Sequence, residues 1–228
     1  MNWVLDNLDL IAVLTVEHLR QSMVAIIAGF AISVPLGWLA FRYTRLRGPA
    51  LTFVGLLYTI PSLALLPVLQ LFGVPFLSDA SLIIALTIYA VAIMTRSVTD
   101  GLDSVDPVTR GAAIAVGFGA WRRFWRVDFP LAAPVVMAGL RVTAVSTISL
   151  ATIGALVGVE NLGYLFTNGI QRRIVAEVLA GVVAVVVIAL IVDGLLVLLG
   201  RLLMPWARLT APRSRAHRRA ARRALVTT

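Results

Sequence analysis

The sequence predicts an all-α, polytopic membrane protein with five transmembrane helices. Three observations carry that expectation: the composition, the long unbroken apolar stretches and the uneven placement of the arginines. Of 228 residues, 60% are hydrophobic and only 14% charged, against about 45–50% and about 25% in a soluble domain. So few charges cannot cover a water-facing surface, and so much apolar side chain does not fit one core. The composition excludes an ordinary soluble enzyme, a disordered chain and, with no cysteine, a disulfide scaffold. All 20 basic residues are arginine, so the lysine that a P-loop requires is missing. A net charge of +9 raises the idea of a nucleic-acid binder, but such proteins carry their charge on polar, soluble domains. No nucleic-acid partner is expected.

A membrane-spanning helix needs about 20 mostly apolar residues to cross a hydrocarbon core of roughly 30 Å. Five stretches meet that requirement: 21–41, 49–72, 80–95 (reaching 99 if Arg96 snorkels), 132–157 and 178–200. None alternates with period 2, which argues against a β-barrel. Apolar residues surround each helix rather than forming one stripe. The first charges of the chain are Asp6 and Asp9, which does not resemble the basic start of a cleaved signal peptide. Residues 1–19 are expected to form an extracytoplasmic or interfacial segment leading into a 20–200 transmembrane domain.

Arginine placement predicts the orientation. The connection after span one holds Arg42, Arg45 and Arg47, and the long loop after span three holds Arg96, Arg110, Arg122, Arg123 and Arg126. With eight more from Arg201 onward, 16 of the 20 fall on one side. The other side carries Arg20, Arg172 and Arg173 among six carboxylates. The N-terminus is therefore expected outside and the C-terminus inside, an arrangement that an odd number of spans satisfies.

Residues 96–131 form the one long loop, far more chain than a turn needs, and long loops of compact proteins tend to be functional. Asp106-Pro107 reads as a helix start, with Asp106 as the cap and Pro107 in the first position. Val108 to Val116 continues the helix, and Gly117 and Gly119 end it. Trp121, Phe124 and Trp125 then recur among arginines until Pro130 restarts the chain into the membrane. From chemistry alone, the segment fits either an amphipathic helix lying at the headgroups or a docking element for a soluble partner.

The spacing of Gly111-Ala112-Ala113, Gly117, Val127 and Pro130 resembles the EAA loop of ABC importer permeases. Further blocks resemble the osmoprotectant branch of that family, the glycine betaine/carnitine/choline permeases: Thr15-Val16-Glu17-His18-Leu19, Tyr58-Thr59-Ile60-Pro61-Ser62-Leu63-Ala64-Leu65, Ile88-Tyr89-Ala90, Gly101-Leu102 with Val105-Asp106-Pro107, and Pro134 to Arg141. The match covers roughly 15–170. Two positions depart from the pattern: Gly111 stands where the family usually has the Glu of EAA, and Phe129 replaces the Leu before the proline. The missing carboxylate removes one charge-assisted contact to a partner.

The resemblance implies a type I ABC importer permease fold in the cytoplasmic (inner) membrane. It also implies a transport subunit that is not itself an enzyme, with Gly111, Ala112, Ala113, Gly117 and Pro130 in the loop that couples to a separate ABC ATPase. ATP and Mg2+ would then sit on that partner, with no cofactor and no metal on this chain. The other implied partners are a second permease subunit, identical or paralogous, an extracytoplasmic solute-binding protein and membrane lipids. The substrate class implied is compatible solutes such as glycine betaine, choline, carnitine and proline betaine. Methionine or another amino acid is the alternative. A non-ABC scaffold or channel is a third reading, against which the docking-type loop argues.

Within the spans, Arg141 and Asp193 lie at similar depths, on the order of 12 Å from the same face at 1.5 Å per residue, and are a candidate ion pair. Span four is rich in small and hydroxyl residues, among them Ser146, Thr147, Ser149 and Thr152, which suit close helix packing or a hydrated path. With Tyr58 and Pro61 of span two they are the candidate lining of a translocation path or dimer seam. His18 beside Glu17 reads as a structural contact. The tryptophans read as interfacial anchors, and no intramembrane aromatic cluster for a quaternary ammonium is visible. The basic tail, 201–228, reads as a solvated segment drawn to anionic lipid.

Overall fold

A computed structural model describes residues 2–75 and 78–208, so the tail beyond Arg208 lies outside the described residues. Ten α-helices make up almost everything described: α1 (Asn2–Asp6), α2 (Leu8–Arg42), α3 (Thr44–Thr59), α4 (Ser62–Gln70), α5 (Asp79–Asp103), α6 (Pro107–Ala115), α7 (Ala120–Arg123), α8 (Phe129–Ala151), α9 (Gly163–Gln171) and α10 (Val175–Leu203). A π-helical stretch, Phe124–Asp128, joins α7 to α8, and a 3-10 turn, Thr152–Val157, extends α8. There is no strand among the described residues.

Helix directions follow from which residues touch. A Cβ built on Gly29 would stand 2.4 Å from the Ala90 Cβ, and one on Gly37 2.6 Å from Val98. These contacts advance together, so α2 and α5 run parallel with their backbones nearly touching, the use of small residues expected where lipid supplies no hydrophobic drive. At one end Arg20 pairs with Asp79, and at the other Arg47 pairs with Asp103. The chain between them, 43–78, must therefore travel from one end of the bundle to the other. It does so in two pieces, α3 and α4, bent by 101°. Four helices are long and apolar enough to span a membrane alone, and this broken pair is the fifth crossing.

The break has a local cause. Pro61 has no N–H to donate and disfavours helical backbone at the residue before it, and Ile60 is extended (φ −66°, ψ 127°). The Tyr89 hydroxyl donates to the Ile60 carbonyl, which satisfies a polar group that hydrocarbon would leave unpaired. The stretch expected as one span, 49–72, is thus sharply interrupted.

α8 runs antiparallel to α5, with Val136 against Gly101 and Ser97 against Gly139. α10 runs antiparallel to α8, with Asp193 beside Arg141 and Gly200 beside Met137. Five crossings of alternating direction result. The cores between them are layered: Met94, Val98, Leu102, Phe124 and Val136 fill the end near α6, and Leu14, Ile148, Leu162, Leu165 and Ile188 fill the opposite end.

Two boundaries differ from the sequence reading. The segment expected to precede span one is mostly part of it, because α2 is one helix of 35 residues, about 52 Å at 1.5 Å per residue. Nothing between Leu8 and Arg42 breaks it: Pro35 is absorbed, and Gly29 and Gly37 are held by α5. Nor does Pro130 restart the chain. Helix is continuous from Ala120 to Val157, and the wide π turn, closed by the Phe129 N–H on the Phe124 carbonyl, makes room for a residue with no N–H.

Candidate functional site

The end of the bundle that carries α6 is built around one carboxylate. Asp128 is almost fully buried and accepts from Arg110 Nε at 3.1 Å on one oxygen and from Arg123 Nε at 3.1 Å on the other. Arg110 also donates to the Leu102 carbonyl at 2.8 Å and lies 4.7 Å from the centre of the Phe41 ring. Arg110 and Asp128 together therefore tie α6, α7 and the π-helical stretch before α8 to the ends of α5 and α2. Trp38 of α2 packs against Trp121 and Phe124, which continue into Trp125 and Phe129. This cluster comes from two distant stretches of sequence. Its rings pack edge-on and tilted against one another.

On that base α6 projects with no buried residue. The Asp106 carboxylate accepts from the Val108 N–H at 2.8 Å, capping the helix. Gly117, at φ +89°, closes it: the Phe118 N–H reaches the Ala113 carbonyl at 3.0 Å and the Gly117 N–H reaches Ile114 at 2.9 Å. Gly111 has nothing within 4 Å of a Cβ built on it, and Ala112 is exposed while Ala113 is half-buried. Val108 and Val116 are 77% and 79% exposed. Pro130 does not belong to this projecting helix; it sits in the stem, in the first turn of α8. Asp128 escaped the sequence reading, although it is the only carboxylate from Pro107 to Leu131, and one acid among Arg110, Arg122, Arg123 and Arg126 was the available signal.

A second site lies on the flank of the bundle. Arg141 Nε donates to Asp193 Oδ1 at 2.7 Å and the neighbouring amino group to Oδ2 at 2.7 Å, a two-point pair between α8 and α10. The pair stands in a groove of about 690 Å³ whose walls include Ser146, Ser149, Val145 and Leu190. Thr147 is not on that surface: one residue beyond Ser146, it turns into the bundle with Ala144, Ile148 and Ala151 and is buried. Thr152 donates its hydroxyl to the Ser149 carbonyl at 2.7 Å and does not line the groove. Tyr58 and Pro61 are exposed at the α3–α4 break, Tyr58 edge-on to Tyr89 at 6.0 Å, and do not line it either.

The end opposite α6 is closed by buried polar groups. Gln21 donates to Asp79 and to the Glu160 carbonyl, both at 3.1 Å, and accepts from Asn161 at 3.0 Å. Asn161 donates also to the Ala151 carbonyl at 2.8 Å and accepts from the Gly163 N–H. His18 is buried with Nε2 2.9 Å from the Ile148 carbonyl, a contact within the fold. Buried Glu177 accepts from Asn168 at 2.5 Å. No group of three or more His, Cys, Asp or Glu residues able to hold a metal occurs among the described residues.

A family model described as "Binding-protein-dependent transport system inner membrane component" matches residues 33–205. The osmoprotectant import permease protein OsmW of Salmonella typhimurium is 33% identical over 86% of this chain and 93% of its own length. The glycine betaine/carnitine/choline transport system permease protein OpuCB of Bacillus subtilis is 31% identical over 84% and 87%. Among solved structures, an inward-facing form of the MetNI methionine ABC transporter matches with TM-score 0.80 at 19% identity, covering 87% of this chain and 98% of that one. An amino acid ABC transporter with histidines matches with TM-score 0.67 at 17% identity, covering 90% and 96%. At such identities the two structures speak for the fold alone.

Proposed function

Because the chain belongs to the family of binding-protein-dependent transport system inner membrane components and is a multi-pass inner-membrane permease, we propose that it forms the path of an ATP-driven importer of compatible solutes. The solutes are of the glycine betaine, choline and carnitine type that its relatives' names carry. The observation that supports this most is α6, a helix capped at both ends, braced through Arg110 and Asp128 on one face and with no buried residue of its own. A capped helix with most of its residues exposed is suited to being received by a partner. A cleft in a separate ATPase, which carries the ATP and Mg2+, is the receiver we assign. Gly111, Ala112, Ala113 and Gly117 supply the small surface that lets the helix sit deep in it.

The remaining assignments follow from that one. The α6 end, with 16 of the 20 arginines at it or in the tail, faces the cytoplasm and the N-terminus faces outward. The eight arginines from Arg201 onward supply positive charge that attracts anionic headgroups. A second permease subunit completes the path, since a single bundle of five crossings encloses none, and a solute-binding protein delivers cargo to the Gln21–Asn161 end. The likeness to a methionine transporter is one of fold and favours no amino acid.

The test is reconstitution of the chain with its ATPase and binding protein in liposomes. ATP hydrolysis is expected to rise with binding protein plus glycine betaine and to stay basal with methionine. Stimulation by methionine alone would overturn the substrate class, and failure of any ATPase to co-purify would overturn the motor.

A further inference from the structure

We propose that Arg141 and Asp193 form a binding site for a zwitterionic solute in transit, the guanidinium taking the solute's carboxylate and Asp193 its cationic nitrogen. The proposal rests on the permease reading above and adds to it the chemistry of the path.

The pair is placed unlike a structural one. Asp193 is ten residues from the end of α10 at Leu203, about 15 Å at 1.5 Å per residue, well inside the hydrocarbon. A pair kept only for folding at that depth is enclosed by the two helices it joins. Here the side chains are 42% and 27% exposed and open onto the groove that Ser146 and Ser149 also line. Charges at such depth face protein or a water-filled cavity, not lipid, so this flank of α8 and α10 faces the interior of the assembled transporter. The groove, at about 690 Å³, falls within the roughly 300–1,000 Å³ of small-molecule pockets.

Charge balance selects the ligand. Empty, the pair is neutral as a unit, so the resting path carries no unpaired charge. A zwitterion brings the same two charges at short separation and can replace each partner with its own kind. Arg141 keeps a two-point contact to a carboxylate, the geometry it already makes, and Asp193 keeps a cation. A lone cation or lone anion satisfies one residue and strands the other, which is costly away from water. The site therefore favours solutes carrying both charges over solutes carrying one.

The natural chain has no cysteine, so Ser149→Cys places one reporter thiol on the groove of each permease copy. In the complete complex, purified with its ATPase into nanodiscs, the rate of maleimide labelling at that position reads occupancy. Glycine betaine is expected to slow labelling, with choline, which lacks the carboxylate, a weaker protector. Arg141→Gln should raise the half-protecting concentration of glycine betaine at least tenfold and lower that of choline, since no guanidinium is then stranded when Asp193 takes the cation. Asp193→Asn should raise both. Because two solutes are compared in one preparation, a general loss of folding cannot mimic this split. Protection by neither glycine betaine nor methionine, or protection that both variants leave unaltered, would overturn the site. Protection by methionine alone supports it while overturning the compatible-solute reading.

Discussion

The two ends of the bundle solve opposite problems. At the end opposite α6, Gln21, Asp79, Asn161 and Glu160 satisfy one another through donors and acceptors from α2, the start of α5 and the segment before α9. At the α6 end the interior is as firmly built, with Asp128 between two arginines and five rings packed edge-on and tilted, but its product is a helix with no buried residue. The first end ties its own polar groups to one another; the second mounts a helix that buries none of its own residues.

The change that should break this contrast most sharply is Asp128→Ala. It removes one carboxylate and strands two guanidiniums that are only 19% and 15% exposed, and breaking such a pair typically costs about 3–5 kcal/mol. The expected outcome is a large fall in thermal stability together with loss of ATPase co-purification. If the ATPase still binds normally, the mount is not what presents α6. Asn161→Ala is the matching change at the sealed end. It orphans the Gln21 Oε1, the Ala151 carbonyl and the Gly163 N–H, at about 1–3 kcal/mol for a buried unsatisfied group. Stability should fall by roughly that amount while ATPase binding is retained, and parallel loss of binding would mean that the two ends are not independent.

What was legible in the sequence divides along the same line. Local rules sufficed for α6: Asp106, Pro107 and Gly117 mark its cap, its first turn and its stop, and the structure uses each for that. The five crossings were legible because apolar length is a property of one segment at a time. The Asp128 clasp and the Trp38–Trp121 contact were not, since each joins residues far apart in sequence, and no periodicity says which arginine among several finds the acid. Thr147 shows the limit within a single helix. Hydroxyl composition nominated it with Ser146 and Ser149, but the helical turn of 100° per residue places it on the buried face, and composition carries no phase. The interruption at Ile60–Pro61 was half legible: Pro61 announces a break, but its angle depends on the Tyr89 hydroxyl waiting on α5.

Gly111 offers a smaller change, and one that sharpens the contrast instead of breaking it. A Cβ there meets nothing within 4 Å, and glycine inside a helix costs about 0.8–1.0 kcal/mol relative to alanine. Gly111→Ala should therefore firm α6 slightly without disturbing the bundle, and Gly111→Glu should in addition place a carboxylate on the surface proposed to meet the ATPase. Tighter co-purification with Glu than with Ala is expected. Equal binding for both would show that this edge of α6 does not face the ATPase.

The smallest effects are expected from the exposed pairs that flank each end, Arg47 with Asp103 near α6 and Arg20 with Asp79 and Glu17 opposite. In every one of them the side chains are 35–45% exposed, so water and salt compete for the charges and about 0–1 kcal/mol is the most such a pair contributes. Arg47→Ala and Arg20→Ala should each shift the thermal midpoint by no more than a degree or two, and raising the salt concentration should shrink both shifts. The comparison gains from the pairs being alike in exposure while the ends are not. If Arg47→Ala costs clearly more than Arg20→Ala in the complete complex but not in the isolated permease, the difference measures water excluded by the docked ATPase. Equal small costs in both states place the boundary of that docking surface beyond Arg47, confining it to α6 and the turn that ends it at Gly117.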